Sequence, residues 1–547
     1  MHQSLSDVLA CQGQERERGI VFLGPGRPPV DFLSYADLGQ TARRLSRGLT
    51  ARGVASGDYL ILRLDDNKMF VEAFWACVLG GFVPVPLAAA GSNELDRTRA
   101  VQDILPGSRV LGLSADFGPS EPSVADGAIA LDLLKAEALT FDPEENARPV
   151  APDTIRLVQF SSGSTGQPKG VIITERNIMA GLRACVPSGQ SQDTVTNSML
   201  SWLPLTHNLS LVGVHLYSLY RGYDQVLMPP TQFALDPLSW LKAITVHRPT
   251  VTFCPNFGCQ HVLKAMARAG QSALTGLDLS SLHKIMNGAE PIDRATVAEF
   301  QDRLAPYGLR PNVMVPGYGL TEASLGVTAA GIYQPLRAIE LDRSRIAVGA
   351  QVADIAQPGG SSFVSVGSPT PGVSVSIRST PSSPTPDGVI GQIWVGGEPV
   401  TDRYVDASGQ HRQELSPDGF LGTGDLGAMV DGDLFILGRQ KDIIFVNGKN
   451  FYSHDLERVL EQALPVDCAV VGQTDPATGQ EAVIVFLAQP GQSETASPSE
   501  LEERAVEALM GRLGVPVDRL VWVPSIPRTR TGKRQRFELL DGLGRPA

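Results

Sequence analysis

Phe160-Ser161-Ser162-Gly163-Ser164-Thr165-Gly166-Gln167-Pro168-Lys169-Gly170 separates two apolar runs, Ile155 to Phe160 and Val171 to Ile173. Both runs read as strands, so the polar stretch between them is a loop whose backbone N–H groups can point at an anion. Gly163, Gly166 and Gly170 let the chain bend and a ligand approach closely. Ser161, Ser162, Ser164 and Thr165 supply hydroxyl donors, and Lys169 supplies a point charge suited to a polyphosphate. The stretch is not a Walker loop, because Lys169 lies between Pro168 and Gly170 instead of in a Gly-Lys-Ser/Thr sequence opening a helix. Read alone it leaves two options open, a phosphate cradle and a Gly/Ser hairpin on the surface.

The rest of the chain narrows the class. Its 547 residues are too many for one core and predict at least two domains. A charged fraction of 19% with 42% hydrophobic residues is that of a globular protein. The net charge of −12, with no Lys/Arg-rich run, argues against nucleic acid as the main partner. No apolar stretch reaches membrane-spanning length, and the N-terminus lacks a basic region followed by an apolar core, so neither a span nor a secretory signal is expected. Six scattered cysteines without a CxxC pair fit buried thiols in a reducing cytoplasm. Helical and strand-like patterns alternate from the start, with a helix predicted from Tyr35 to Arg52, a strand from Tyr59 to Leu64 and a helix from Phe70 to Leu79, which is an α/β layout. Gly80 to Leu87 reads as a structural Gly/Pro segment, while Arg378 to Gly388 and Gln489 to Ser499 read as loops.

Five further motifs follow the loop in order: Asn287-Gly288-Ala289-Glu290-Pro291, Gly317-Tyr318-Gly319-Leu320-Thr321-Glu322, Gly422-Thr423-Gly424-Asp425, Gly438-Arg439-Gln440-Lys441-Asp442 and Arg530-Thr531-Gly532-Lys533. Singly each is weak. Together, in this order, they resemble the adenylate-forming enzymes, the superfamily of acyl-CoA synthetases, luciferases and peptide-synthetase adenylation domains. That resemblance implies an α/β fold, with a large N-terminal domain of layered β-sheets and helices and a small mobile α+β C-terminal domain. It places the domains at 1–438 and 442–547, joined by a hinge at 439–441 centred on Lys441.

It also implies the roles of individual residues in a reaction where a carboxylate attacks the α-phosphorus of ATP and expels pyrophosphate. Negative charge collects on phosphate oxygens in such a step, so cations and oriented donors carry it. Lys533 resembles the mobile lysine that reaches the substrate carboxylate and the α-phosphate. Thr321 would touch that phosphate, and Glu322 resembles the family's Mg2+ ligand. Ser161, Ser162, Gly163, Ser164, Thr165, Gly166 and Lys169 would hold the phosphates. Tyr318 and Gly319 resemble the segment that stacks on adenine, with Gly288, Ala289 and Glu290 lining the base. Asp425 would accept from the ribose hydroxyls, with Arg439 nearby.

For the acid, Trp202 to Leu209 lies where the family places the floor of the acyl pocket, with His207 as lining and Asn208 where an Asp is common. Asn256 and Phe257 would complete the pocket. No buried Asp for a substrate ammonium stands out, so a plain apolar or fatty acid is expected over an amino acid. Within the superfamily the chain looks most like the fatty-acyl-AMP ligases: Pro255-Asn256-Phe257 and Asn447 to Glu457 match them, and Gly367 follows Glu322 by 45 positions, room for their inserted segment. By resemblance, that segment restrains the swing that admits coenzyme A, so the acyl-adenylate passes to the phosphopantetheine of an acyl carrier protein. An acyl-CoA ligase and a non-catalytic adenylate-binding scaffold are the alternatives.

Overall fold

The computed structural model of the chain describes all residues except 1, 15–16, 25–30, 89–93, 118–126, 142–149, 163–167, 186–196, 440–442, 447–448, 475–480, 491–496, 529–533 and 544–547. Its largest sheet has nine strands, in the order Ser368–Pro369, Gly326–Ala329, Met314–Gly319, Lys284–Asn287, Val251–Phe253, Ser198–Ser201, Asp224–Leu227, Gly19–Phe22 and Asp31–Ser34. The six from Met314–Gly319 to Gly19–Phe22 run parallel. They are short and largely buried, Val251–Phe253 throughout, which is why most read as apolar runs.

Two four-stranded sheets follow. One is parallel (Val83–Leu87, Tyr59–Arg63, Arg109–Gly112, Ala128–Ala130), and the other antiparallel (Gly409–Arg412, Arg403–Asp406, Pro168–Thr174, Ile155–Ser162). Val85, Val158, Phe160, Ile172 and Val405 from both sheets share one core. Pro84 and Pro86 are tolerated because Val83–Leu87 is an edge strand of its sheet. A further antiparallel sheet, of five strands, runs from Ser383–Pro384 to Asp433–Arg439.

Beyond Ile443 a smaller α+β unit has its own core. Leu456 and Leu460 of helix Ser453–Ala463, and Leu501 and Leu509 of helix Pro498–Leu513, pack on Val470 and Val485 of the sheet Cys468–Thr474, Glu481–Ala488, Arg519–Val523. Large N-terminal and small C-terminal parts are thus both present, as expected.

The predicted early elements are found at Tyr35–Ala51, Tyr59–Arg63 and Asn67–Gly80. In the first, Ser34 caps the helix by accepting from the Asp37 N–H at 3.0 Å, and Leu38, Ala42, Leu45 and Leu49 form its buried stripe. The stretch from Arg378 to Gly388 departs from the expected loop. It contains the end of strand Val373–Thr380 and its hairpin partner Ser383–Pro384, because Arg378 is buried, held by both oxygens of Asp418 at 2.8 and 2.7 Å and lying over the Phe420 ring. The second expected loop ends earlier than predicted. Helix Pro498–Leu513 begins there, on a reciprocal cap between Ser497 and Glu500. The cysteines are not uniformly buried either. Cys11 is exposed and Cys185 half-buried, while Cys77, Cys254, Cys259 and Cys468 are buried.

A buried polar chain joins several elements of the N-terminal part. The Trp75 indole donates to His215 Nε2 at 2.8 Å, His215 Nδ1 meets Gln225 Oε1 at 3.0 Å, and Gln225 donates to the Tyr35 hydroxyl at 2.8 Å. Acceptance at Nε2 places the proton on Nδ1, so the ring is neutral. Burial lowers the His215 pKa to about 4. The unfolded chain therefore binds the extra proton first as pH falls, and stability drops between about pH 6.5 and 4, by roughly 3 kcal/mol in total. Urea unfolding at pH 7, 6 and 5 checks this. His215→Leu starts less stable, with the Trp75 indole N–H and Gln225 Oε1 deprived of their His215 partner, but loses less on acidification.

Candidate active site

Four parallel strands end side by side, at Ser201, Phe253, Asn287 and Gly319, and the motif residues follow them. This is the crevice at the carboxyl ends of strands where α/β sheets receive ligands. Asn287 pairs with Pro316, so Gly288 and Gly317 lie next to each other. A Cβ on Gly288 would stand 2.5 Å from the Gly317 carbonyl oxygen, so only glycine permits that approach. Ala289 takes a positive φ of 70°, and its turn delivers Glu290, whose carboxylate accepts from the Phe257 N–H at 2.6 Å. Glu290 thereby caps helix Asn256–Ala269. Asn256 answers by accepting from the Asp293 N–H at 3.1 Å.

Strand Met314–Gly319 runs into a short 3₁₀ turn, Thr321–Ala323, closed by Ser324 at φ 63°. The Asn208 amide donates to the Ser324 carbonyl, a bond an Asp carboxylate could not make. His207 Nδ1 accepts from the Leu209 N–H at 3.2 Å and so caps the helical turn behind Asn208. Beside it, Phe257 meets Trp202 edge-on at 5.6 Å, and Trp202 stacks on Phe233 at 3.7 Å, an aromatic wall next to the strand ends.

Two clusters converge on the Tyr318–Glu322 segment. In the first, the Tyr318 hydroxyl donates to Asp425 Oδ2 at 2.6 Å and Arg439 Nε donates to Oδ1 at 2.9 Å. Burial and the neighbouring Asp425 charge push the Tyr318 hydroxyl well above its usual pKa, so it stays a donor. Each Asp425 oxygen keeps a second lone pair for a ligand hydroxyl. In the second cluster, the Tyr404 hydroxyl donates to Glu322 Oε1 at 3.2 Å, and the Lys169 ammonium lies 3.4 Å from the centroid of the Tyr404 ring. The Thr401 N–H also donates to the Glu322 carbonyl at 2.7 Å.

The structure thus brings Lys169, Glu322, Tyr318, Asp425 and Arg439 into one region, with Gly288, Ala289, Glu290, Gly319, Thr321, His207, Asn256 and Phe257 on the adjoining turns. Strands Ile155–Ser162 and Pro168–Thr174 form an antiparallel hairpin carrying Ser161 and Ser162 at its far end. Gly163, Ser164, Thr165, Gly166, Lys441 and Lys533 lie outside the described residues. Gly170 differs from its expected role. It sits inside the strand, and a Cβ there would come within 3.0 Å of Val158, Val405 and Phe160, so it serves sheet packing. Tyr404 was not foreseen, since a lone Tyr in Asp402-Arg403-Tyr404 carries no spacing signal.

Among the described residues no group of three or more His, Cys, Asp or Glu could hold a metal alone. No helix among them is long and apolar enough to cross a membrane. At the candidate site Glu322 offers a hard carboxylate oxygen, the donor type that Mg2+ takes.

Comparison with known proteins gives matching results. The family of AMP-binding enzymes matches residues 14–405, and the AMP-binding enzyme C-terminal domain matches residues 457–533. A long-chain-fatty-acid–AMP ligase of Mycobacterium marinum is 29% identical over 573 aligned positions, covering 98% of this chain and 97% of that protein. A medium-chain-fatty-acid–acyl-carrier-protein ligase of Teredinibacter turnerae is 31% identical over 451 positions, covering 78% of this chain and 68% of that protein. Among solved structures, one from a study of fatty acyl-adenylate ligases of E. coli and L. pneumophila superposes with a TM-score of 0.84 at 27% identity, over 99% of this chain and 97% of that one.

Proposed function

The chain belongs to the AMP-binding enzyme family, and from that premise we propose that it uses ATP to convert an apolar carboxylic acid, a fatty acid, to acyl-AMP with release of pyrophosphate, and hands the acyl group to an acyl carrier protein. The observation that carries the reading is the convergence of Tyr318, Asp425 and Arg439 with Lys169, Tyr404 and Glu322 on one segment. The first group suits a nucleoside, with a ring for the base and a carboxylate for ribose hydroxyls. The second suits its phosphates.

In this reading the substrate carboxylate attacks the α-phosphorus, the bond to the pyrophosphate oxygen breaks, and acyl-AMP and pyrophosphate result. Lys169 and the loop after Phe160 hold the departing phosphates, Thr321 meets the α-phosphate, and Lys533 is brought to the reacting oxygens by motion about Lys441. A Mg2+ ion on Glu322 would supply neutralising charge to the phosphate oxygens. Phe257, half-buried and edge-on to the core residue Trp202 at the strand ends, supports an apolar acid.

Carrier protein as acceptor is supported by the stretch between Glu322 and Gly367. There Arg343 pairs with Asp455, donates to His454 Nε2 at 2.8 Å and lies over the rings of Tyr452 and Phe363 at 4.1 and 4.7 Å. It ties that stretch to the start of the C-terminal unit, which favours a restrained swing. The test is acceptor choice. Given ATP, Mg2+ and a panel of fatty acids, acyl-AMP should form and pass to a phosphopantetheinylated carrier protein at least about tenfold faster than to coenzyme A, read by mass spectrometry. Efficient acyl-CoA formation would overturn the carrier assignment, and no adenylate from any acid would point to a non-catalytic scaffold.

A further inference from the structure

Tyr404 stands between the two ionic groups of the phosphate region, and its own position is set by the sheet. Its strand pairs with Pro168–Thr174, Tyr404 opposite Val171, and the nearby Thr401 hydroxyl donates to the Ile172 carbonyl at 2.9 Å. The side chain is 3% exposed, and its ring stacks near-parallel on His411 at 5.9 Å. From that fixed mount it presents a ring face to the Lys169 ammonium and a hydroxyl to Glu322 Oε1.

The two contacts differ in kind. A ring face attracts a cation through its quadrupole and leaves the full positive charge in place. A neutral hydroxyl orients a carboxylate and leaves its negative charge in place. In that bond the Tyr404 hydroxyl is the donor and the Glu322 carboxylate the acceptor. Both ions are therefore held without being neutralised by this residue.

We infer that Tyr404 is a positioning residue that sets the separation of the Lys169 ammonium and the Glu322 carboxylate, presenting one to the polyphosphate and the other to its divalent cation. The inference rests on the adenylation reading of this site. Ring and hydroxyl act separately, so they can be removed separately. Tyr404→Phe keeps the ring over Lys169 and loses the bond to Glu322, whereas Tyr404→Leu loses both.

The experiment is calorimetric titration of the full chain with ATP, with and without MgCl2 and without any acid, alongside melting temperatures as a control on folding. Tyr404→Phe should bind metal-free ATP within twofold of the parent, while the gain in affinity on adding Mg2+ shrinks about fivefold. Tyr404→Leu should show that same loss and bind metal-free ATP about fivefold more weakly as well. The inference is overturned if Tyr404→Leu keeps the parent's affinity, or if both variants lose affinity equally with and without Mg2+, which is what a merely structural ring would give. Because the readout is binding, failure of the adenylation reading shows separately, as a parent protein that binds ATP yet exchanges no pyrophosphate.

Discussion

Lys533→Ala is expected to lower ATP–pyrophosphate exchange by about a hundredfold or more while ATP still binds within a few-fold of the parent. The reason is where charge develops. A side chain that meets the α-phosphate and the attacking carboxylate only as they react stabilises the transition state more than the bound nucleotide, so its loss falls on turnover. The variant should also fold. The chain on either side of residues 529–533 is anchored by other groups: Arg528 and Arg534 form a backbone bridge, and Glu457, which is buried, accepts from Arg534 at 3.0 Å and from Arg536 at 2.8 and 2.7 Å. Asp467 adds bonds to Arg528. None of these involves residue 533. Exchange measured with radiolabelled pyrophosphate, and ATP affinity by calorimetry, decide the matter. Full exchange in the variant would remove Lys533 from the reaction.

Gly319→Ala is expected to be the most damaging single methyl group in the nucleotide region. A Cβ there would stand 2.0 Å from the Leu325 carbonyl oxygen and 3.0 Å from its carbon. Both are backbone atoms, so no side-chain rotation relieves the clash. Either the strand Met314–Gly319 or the turn through Thr321–Ala323 must shift, and with it Tyr318, Thr321 and Glu322. Overpacking of this kind costs about 1–3 kcal/mol of stability, and ATP affinity should fall about tenfold or more. Gly326→Ala is the matched control, since a Cβ at that position meets nothing within 4 Å. Thermal melting and ATP titration of the pair give the test. A Gly319→Ala protein with parental affinity would show that the turn yields easily and does not position the site.

Local signals carried well where the chain's own pattern specifies the element. The stripe Leu38, Ala42, Leu45, Leu49 behind Ser34 predicts a helix, and the helix is there. Alternation of helices and apolar strands predicts an α/β layout, the family resemblance adds layered sheets and a smaller C-terminal unit, and all are present. Local signals failed where burial was unusual for the residue type. Arg378 in a turn-rich stretch reads as loop, yet Asp418 and two aromatic rings let the strand bury it. Gly170 reads as a bend, yet three side chains from two strands fill the space where its Cβ would be.

The amino-acid order by itself determined the chemical vocabulary of this protein: glycines and hydroxyls before Lys169, an acid at Glu322, another at Asp425, and the sequence of motifs that identifies the family. Local composition sets those, because each motif needs only its neighbours in the chain to be recognised. Only the tertiary structure decided which of them act on one another. Tyr318 meets Asp425 across 107 positions, and Tyr404 meets Glu322 across 82, through strand pairings and turns that no periodicity encodes. The hydroxyl, ring and carboxylate that shape the phosphate region are brought within bonding distance by packing of separate sheets, and that is a property of the folded chain.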